Sequence, residues 1–391
     1  MAAFENNEPR RRLFDIGALS ALSDEDYDRL PPVRWPLPRD TPESWSSAKR
    51  LFASGSGFTT ADGRARFVPT PYRPPAVPVS DQWPLVLNTG RVRDQWHTMT
   101  RTGRLPRLMA HQREPAIDVH PADAARLSLT DGGLARVESP HGTTVLPVRL
   151  SSDQRRGEVF ASFHWTDQFS SAGPIDGIVG AAADPISGQP ELKATPVRVA
   201  AVAAQWHGLL LRGAEQVPNG PYYWARMPIE RGHTFTLTGW EPLPGDGGIE
   251  LWIPALLDAP PAAELVIYAD PRRGTFRYAC VVGTRLTACL FVAANKSLLP
   301  SRDALAVLLG NRIEPEMRTL LLTGNPSGAA AQTAAGPTIC ACFGVGLQTL
   351  HSAIASRRLT SVAEIGAMLR AGTNCGSCIP ELRAILSGAH T

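Results

Sequence analysis

The chain has 391 residues, 43% of them apolar, and its Lys and Arg (39) nearly balance its Asp and Glu (36) for a net charge of +3. That composition excludes wholesale disorder and, with no long basic run, a dedicated nucleic-acid binder. No apolar stretch reaches the roughly 18–20 residues that span a bilayer. The opening Met1-Ala-Ala-Phe-Glu-Asn-Asn-Glu8 lacks the order of a signal peptide, so the sequence reads as cytoplasmic, with neither membrane nor nucleic acid as a partner.

With 35 Pro and 34 Gly, turns and short strands are expected to outweigh long helices. Residues 1–82 read as an extended, Pro-rich tail. Phe14-Asp-Ile-Gly-Ala-Leu19 and Ser23-Asp-Glu-Asp-Tyr27 are expected to form a short acidic-capped helix there, and Pro31–Pro38 and Pro69–Pro78 force extended backbone. Residues 83–200 form a β-rich domain. Short apolar runs at Leu85–Leu87, 133–139, 143–150 and 157–163 alternate with turn chemistry at Asp131-Gly-Gly133 and Ser139-Pro-His-Gly142, and a helix starts near His120-Pro121. Residues 201–322 form a mixed middle domain. It has strands at Glu264–Tyr268, Thr275–Val282 and Arg285–Val292, a hairpin turn at Gly283-Thr284 and a helix capped by Ser301. A linker at 323–338, low in complexity up to Pro337, leads to a small helical module at 339–391.

That module holds four of the six cysteines, as Cys340-Ala-Cys342 and Cys375-Gly-Ser-Cys378. Between them two helices are predicted. Leu347, Leu350 and Ile354 share a face of the first, and Ser361-Val-Ala-Glu364 forms a capping box for the second; a third helix begins near Pro380. The helices can bring both cysteine loops together. Four thiolates suit either zinc or an iron–sulfur cluster. The tight C-x-C arm and the glycines at 344, 346 and 376, whose backbone N–H groups can face cluster sulfurs, favour [2Fe–2S] over zinc, with two disulfides the remaining option. Cys280 and Cys289 lie in apolar strands and read as buried structural residues.

A second polar concentration follows the first strand, Leu87-Asn-Thr-Gly-Arg-Val-Arg-Asp-Gln-Trp-His-Thr-Met-Thr-Arg-Thr-Gly-Arg104. Asn88-Thr-Gly90 permits a tight turn, Arg91, Arg93, Arg101 and Arg104 can neutralise phosphates, and Trp96 and His97 offer ring faces to a heterocycle. A solvated basic loop is the alternative.

The module at 339–386 resembles the bacterioferritin-associated-ferredoxin-like [2Fe–2S] domain, through Cys340-Ala-Cys342-Phe-Gly-Val-Gly346 and Gly372-Thr-Asn-Cys375-Gly-Ser-Cys378-Ile-Pro-Glu-Leu382. The resemblance implies one-electron transfer, with Cys340, Cys342, Cys375 and Cys378 as cluster ligands. Residues 84–200 resemble the molybdopterin-guanine-dinucleotide-binding domain of the dimethyl sulfoxide reductase group. The matching pieces are Leu87-Asn-Thr-Gly-Arg91, Gln95-Trp-His-Thr-Met-Thr100, Glu114-Pro115, Val119–Ala124, Phe163-His-Trp165 and Asp184–Lys193. That resemblance implies a double-psi β-barrel. It places Thr89, Gly90, Arg91, Gln95, Trp96, His97, Thr98 and Lys193 along the cofactor, molybdopterin guanine dinucleotide in its bis form, shared with the missing catalytic part. The rings of Phe163-His-Trp165 are equally suited to filling the barrel. The implied fold is therefore mixed and β-rich: a barrel, an α+β middle domain and a small helical cluster domain.

The order of these parts resembles bacterial assimilatory nitrate reductases. It implies two-electron reduction of nitrate to nitrite, with electrons entering at the cluster from a ferredoxin, a flavodoxin or an NADH-dependent reductase subunit. A flexible 323–337 tether would let the module swing between donor and acceptor. Those enzymes begin with a [4Fe–4S] cysteine motif and a large molybdenum domain, whereas the first cysteine here is Cys280. The sequence is thus expected to be a C-terminal portion, inactive alone, with residues 1–82 as the tail of the catalytic domain and no catalytic residue of its own. A non-catalytic [2Fe–2S] electron carrier and a portion of another molybdopterin oxidoreductase, such as a formate dehydrogenase, are the competing readings.

Overall fold

A computed structural model describes residues 16–33, 37, 58, 60–69, 71–185, 187–217, 220, 222–243, 248–314, 317–318, 321–322 and 335–388. The chain divides into two compact units, 1–73 and 74–391. The first contains a 3₁₀ turn at Gly17–Ala21 and the predicted helix at Asp24–Asp28. The Ser23 hydroxyl caps that helix by accepting the Asp26 N–H at 3.1 Å. Residues 323–334 of the tether lie outside the described residues.

In the second unit, six strands close into a barrel: β1 Leu85–Gly90, β2 Ile117–Val119, β3 Leu134–Ser139, β4 Gly142–Leu150, β5 Glu158–Ser162 and β6 Thr195–Val202, in the order β1-β5-β2-β4-β3-β6. The strands β1/β5 and β2/β4 run parallel, and the remaining pairs are antiparallel. Alternation places Leu85, Leu87, Ile117, Val119, Val137, Val159 and Val197 inside, each at most 1% exposed. Closing the sheet removes its edges. The helix Pro121–Arg126 starts as predicted, with the His120 ring accepting the Ala122 N–H at 3.0 Å.

The Asn88-Thr-Gly90 segment is not the tight turn expected from its composition. It continues β1, with Gly90 paired to Ser162. Glycine is needed there for space, since a Cβ at residue 90 would stand 2.6 Å from the Phe160 ring.

The middle region is one antiparallel sheet. To the expected strands β10 Glu264–Asp270, β11 Thr275–Val282 and β12 Arg285–Ala293 it adds β7 Trp206–Arg212, β8 Tyr222–Ile229 and β9 Gly232–Gly239, in the order β10-β11-β12-β7-β9-β8. Gly283 adopts φ +62° in the β11–β12 hairpin turn, and Ser301 caps the helix Arg302–Leu308. The helices Gly248–Leu257 and Arg302–Leu308 supply Leu256 and Leu305 to its two cores. Cys280 and Cys289 are fully buried between these strands, and burial pushes the Cys289 thiol up to about 12. Barrel and sheet share a core through Tyr223 and Ala225.

The terminal module has a small ribbon, β13 Thr338–Cys340 with β14 Val345–Gly346, followed by helices Leu347–Arg357, Val362–Leu369 and Ile379–Leu386. Leu350, Ile365, Leu382 and Ile385 form its core. Both halves of the Ser361/Glu364 capping box are present. Among the described residues, no helix is long and apolar enough to cross a membrane.

Candidate functional site

The polar loop leaves β1 and turns back on a satellite core of Met99, Met109, Trp165, Phe169 and Met227. His97 (φ 45°) and Met99 (φ 60°) hold left-handed backbone, a conformation non-glycine residues adopt only when their surroundings fix it. His164, fully buried, supplies that fixation. The Val92 N–H donates to its Nε2 at 3.1 Å, so Nε2 is bare and Nδ1 carries the hydrogen, which it donates to the His97 carbonyl at 2.6 Å. Burial lowers the His164 pKa and the charge of Arg91 adds to the effect, keeping the ring neutral. The Phe163-His-Trp165 triplet thus does more than fill space: His164 staples the loop and Trp165 supports it.

The residues expected to line a pterin fall into two groups. Thr89 is buried at the end of β1, with its hydroxyl donating to the Leu192 carbonyl at 2.7 Å. The Lys193 ammonium bonds the Thr89 carbonyl and lies 5.7 Å from the Phe163 ring centre, so Thr89, Gly90 and Lys193 stand together. Gln95 and Trp96 lie further along, on the wall of a cavity of about 340 Å³. Gln95 is 7% exposed; its amide NH₂ donates to the Leu108 carbonyl at 3.1 Å, whereas its buried Oε1 has no partner among the described residues. Trp96 is 62% exposed, in edge contact with the His97 ring at 4.8 Å. Arg91, His97 and Thr98 are exposed, and Thr98 bonds Thr100 at 3.2 Å.

The opposite wall of the same cavity is made by Cys340, Ala341, Cys342, Cys375, Ser377 and Cys378. The four thiols come together in two pairs, each with one member from either loop. Cys342 and Cys375 are 3.3 Å apart, and Cys340 bonds Cys378 through its thiol. Among the described residues, no three His, Cys, Asp or Glu side chains converge on one point. Two thiol pairs fit a two-iron cluster, in which each iron takes two thiolates. The Ser377 hydroxyl lies 3.0 Å from the Cys375 sulfur, and the Asn374 amide donates to the Cys342 sulfur at 3.4 Å. The bond from Ser377 lowers the Cys375 pKa, while burial raises that of Cys378 to about 11.

The backbone of Gly372 bonds the Cys378 sulfur and that of Ser377 the Cys375 sulfur. Gly344 (φ +65°) and Gly376 (φ +73°) serve the turns. Gly346 gives room for the Ala335 carbonyl, which would stand 2.0 Å from a Cβ.

Arg93 departs from the expected role of phosphate cation. Its guanidinium pairs with Glu381 of the terminal module, donates to the Ile339 carbonyl at 2.9 Å and approaches Asp94 at 3.4 Å. His111 sits between Asp94 (3.5 Å) and Glu381 (3.6 Å), and Arg107 donates to the Cys342 carbonyl at 3.0 Å. Sequence reading missed Arg107, His111 and Glu381 as parts of this region, because their partners are remote along the chain.

Fold and site together define a chain built to hold two redox groups, a pterin dinucleotide and an iron–sulfur cluster. The family comparisons agree: residues 85–196 match the molydopterin dinucleotide binding domain and residues 338–387 the BFD-like [2Fe-2S] binding domain. Across nearly its whole length the chain is homologous to nitrate reductases. It is 36% identical over 398 residues to a nitrate reductase from Klebsiella oxytoca, an alignment covering 99% of this chain and 42% of that protein. It is 31% identical over 190 residues to the assimilatory nitrate reductase catalytic subunit of Bacillus subtilis (strain 168), covering 47% and 25%. It is also 31% identical over 167 residues to the F420-dependent formate dehydrogenase subunit alpha of Methanocaldococcus jannaschii, covering 43% and 23%. The chain therefore spans less than half the length of these relatives.

Proposed function

We propose that this chain is the cofactor-binding and electron-entry portion of a molybdenum-dependent nitrate reductase serving nitrate assimilation in the cytoplasm. The observation that carries the reading is the shared cavity of about 340 Å³, with the pterin-domain loop on one wall and four paired cysteines on the other. When bound, the pterin-held molybdenum supplies oxygen-atom transfer from nitrate and the cluster supplies single electrons. The chain's own residues do the rest. Cys340, Cys342, Cys375 and Cys378 hold the cluster, the Asn374 amide donates to the Cys342 sulfur, and the Ser377 hydroxyl lies against the Cys375 sulfur, where it can donate to a thiolate. Thr89, Gly90, Arg91, Gln95, Trp96, His97, Thr98 and Lys193 line the pterin dinucleotide. His164 keeps that loop in shape. The barrel, with its parallel β1/β5 and β2/β4 pairs, is of the double-psi type. A ferredoxin, a flavodoxin or an NADH-dependent reductase subunit delivers the electrons.

Because the chain spans 42% of its Klebsiella relative, nitrate turnover is assigned to the whole protein and the 391 residues alone are expected to give none. The test is nitrate reduction by the purified chain with a reduced viologen dye, alongside the fluorescence of oxidised pterin released from it. Nitrite formation would overturn the division of labour, and absence of pterin from protein made in a molybdopterin-producing host would overturn the cofactor assignment. Similarity to a formate dehydrogenase subunit favours a second reading, part of a formate-oxidising enzyme, which formate-dependent dye reduction by the whole protein would support.

A further inference from the structure

We propose that Arg93 and Arg107 are positioning residues that seat the cluster module on the 91–109 loop, so that the cysteines face Gln95 and Trp96 across the cavity. This rests on the two-cofactor reading above and concerns how its two sites are held in register. Four observations converge. Arg93, on the barrel's loop, pairs with Glu381 on the module's last helix, 288 residues away, and the same guanidinium donates to the carbonyl of Ile339, next to Cys340. Arg107 donates to the carbonyl of Cys342 itself, so each arm of the C-x-C loop is gripped by a different arginine. His111 bridges Asp94 and Glu381, adding a second contact from the barrel side. The side chains of Arg93, Asp94 and Glu381 are 16%, 10% and 31% exposed, so the contact excludes most water and is stronger than a surface ion pair.

The consequence is geometric. Arginine holds a planar fork of donors, which suits gripping a carboxylate and a carbonyl together. With both arginines engaged, the module cannot turn its cysteines away from the loop.

The test uses the full chain as purified, with Arg93→Glu, Glu381→Arg, the charge-swapped double variant and Arg93→Lys. Hydrogen exchange is followed in segments 91–109 and 339–346, with iron and acid-labile sulfide measured on each sample. Each single charge reversal is expected to raise exchange in both segments by about tenfold or more, the usual order for unpairing a partly buried charge. The double variant is expected to restore protection, and Arg93→Lys to restore it in part. Unchanged exchange in the single variants, or no rescue by the double, overturns the docking. Iron-free protein whose exchange still follows the charge pattern overturns the cluster assignment and leaves the docking standing, so the two failures are distinguishable.

Discussion

The His164 ring donates to the His97 carbonyl at 2.6 Å across 67 residues of sequence, and with its other nitrogen it accepts from Val92. One neutral imidazole therefore closes the loop that carries Gln95 and Trp96. Sequence order conceals this, because the staple comes from the segment after β5 and the loop from the segment after β1.

That arrangement sets a pH dependence. The folded pKa of His164 lies below the ordinary 6.5, chiefly through burial, so the unfolded chain binds a proton that the folded chain refuses. Its contribution is fully present above pH 6.5 and is lost as pH falls through the window below it. His207 and His233 are also lowered by burial and act in the same direction. Melting temperature should fall between pH 7.5 and pH 5.5. His164→Gln should cost about 1–3 kcal/mol at pH 7.5, the scale for orphaning a buried hydrogen-bonding group, and should flatten part of that slope. A slope identical in the variant would remove His164 as a contributor.

Gly90→Ala should destabilise the barrel. The added Cβ meets the Phe160 ring at 2.6 Å in the parallel β1/β5 pair, and overpacking of this kind costs about 1–3 kcal/mol. Thermal unfolding of variant and parent is the check. The same substitution at Gly157, with open space around its Cβ but φ +79°, separates the effect of crowding from that of backbone strain.

Thiol reactivity in chain stripped of metal should follow environment. Cys375 is exposed, and the Ser377 bond lowers its pKa, so it should alkylate first at pH 8. Cys289, fully buried and pushed up to about 12, should remain unmodified until unfolding. Peptide mass mapping after brief iodoacetamide treatment reads the order, and early labelling of Cys289 would contradict the packed middle sheet.

Removing sulfur-directed donors should leave the cluster bound and shift its potential. Ser377→Ala deletes the hydroxyl 3.0 Å from the Cys375 sulfur, so less negative charge is stabilised and the reduction potential should fall. Redox titration followed by visible absorption measures it. Loss of iron instead would mean that the hydroxyl is needed for assembly.

Much of the architecture was legible in the sequence because it is local. The capping box at Ser361 and the caps at Ser301, Ser23 and His120 announce helices within four residues of themselves, and the Gly283-Thr284 turn announces its hairpin. The four cysteines were legible because ligand spacing is a pattern along the chain. Strands β7 and β8 were not, since Trp206–Arg212 and Tyr222–Ile229 are largely apolar on both faces and carry little alternation. Gly90 was misread because its need for space arises from Phe160, on a strand 70 residues later. Arg93 was misread because composition shows a cation but not its partner; Glu381 becomes that partner only once the module has folded against the loop.

The measurement that tests the central claim most directly is the iron, sulfide and zinc content of the chain purified without oxygen, read together with its electron paramagnetic resonance after reduction. Four cysteines in two pairs predict two irons and two acid-labile sulfides per chain, with a signal from one unpaired electron in the reduced protein. One zinc per chain, no sulfide and no signal would contradict it, and the module would then be a structural support for the pterin domain.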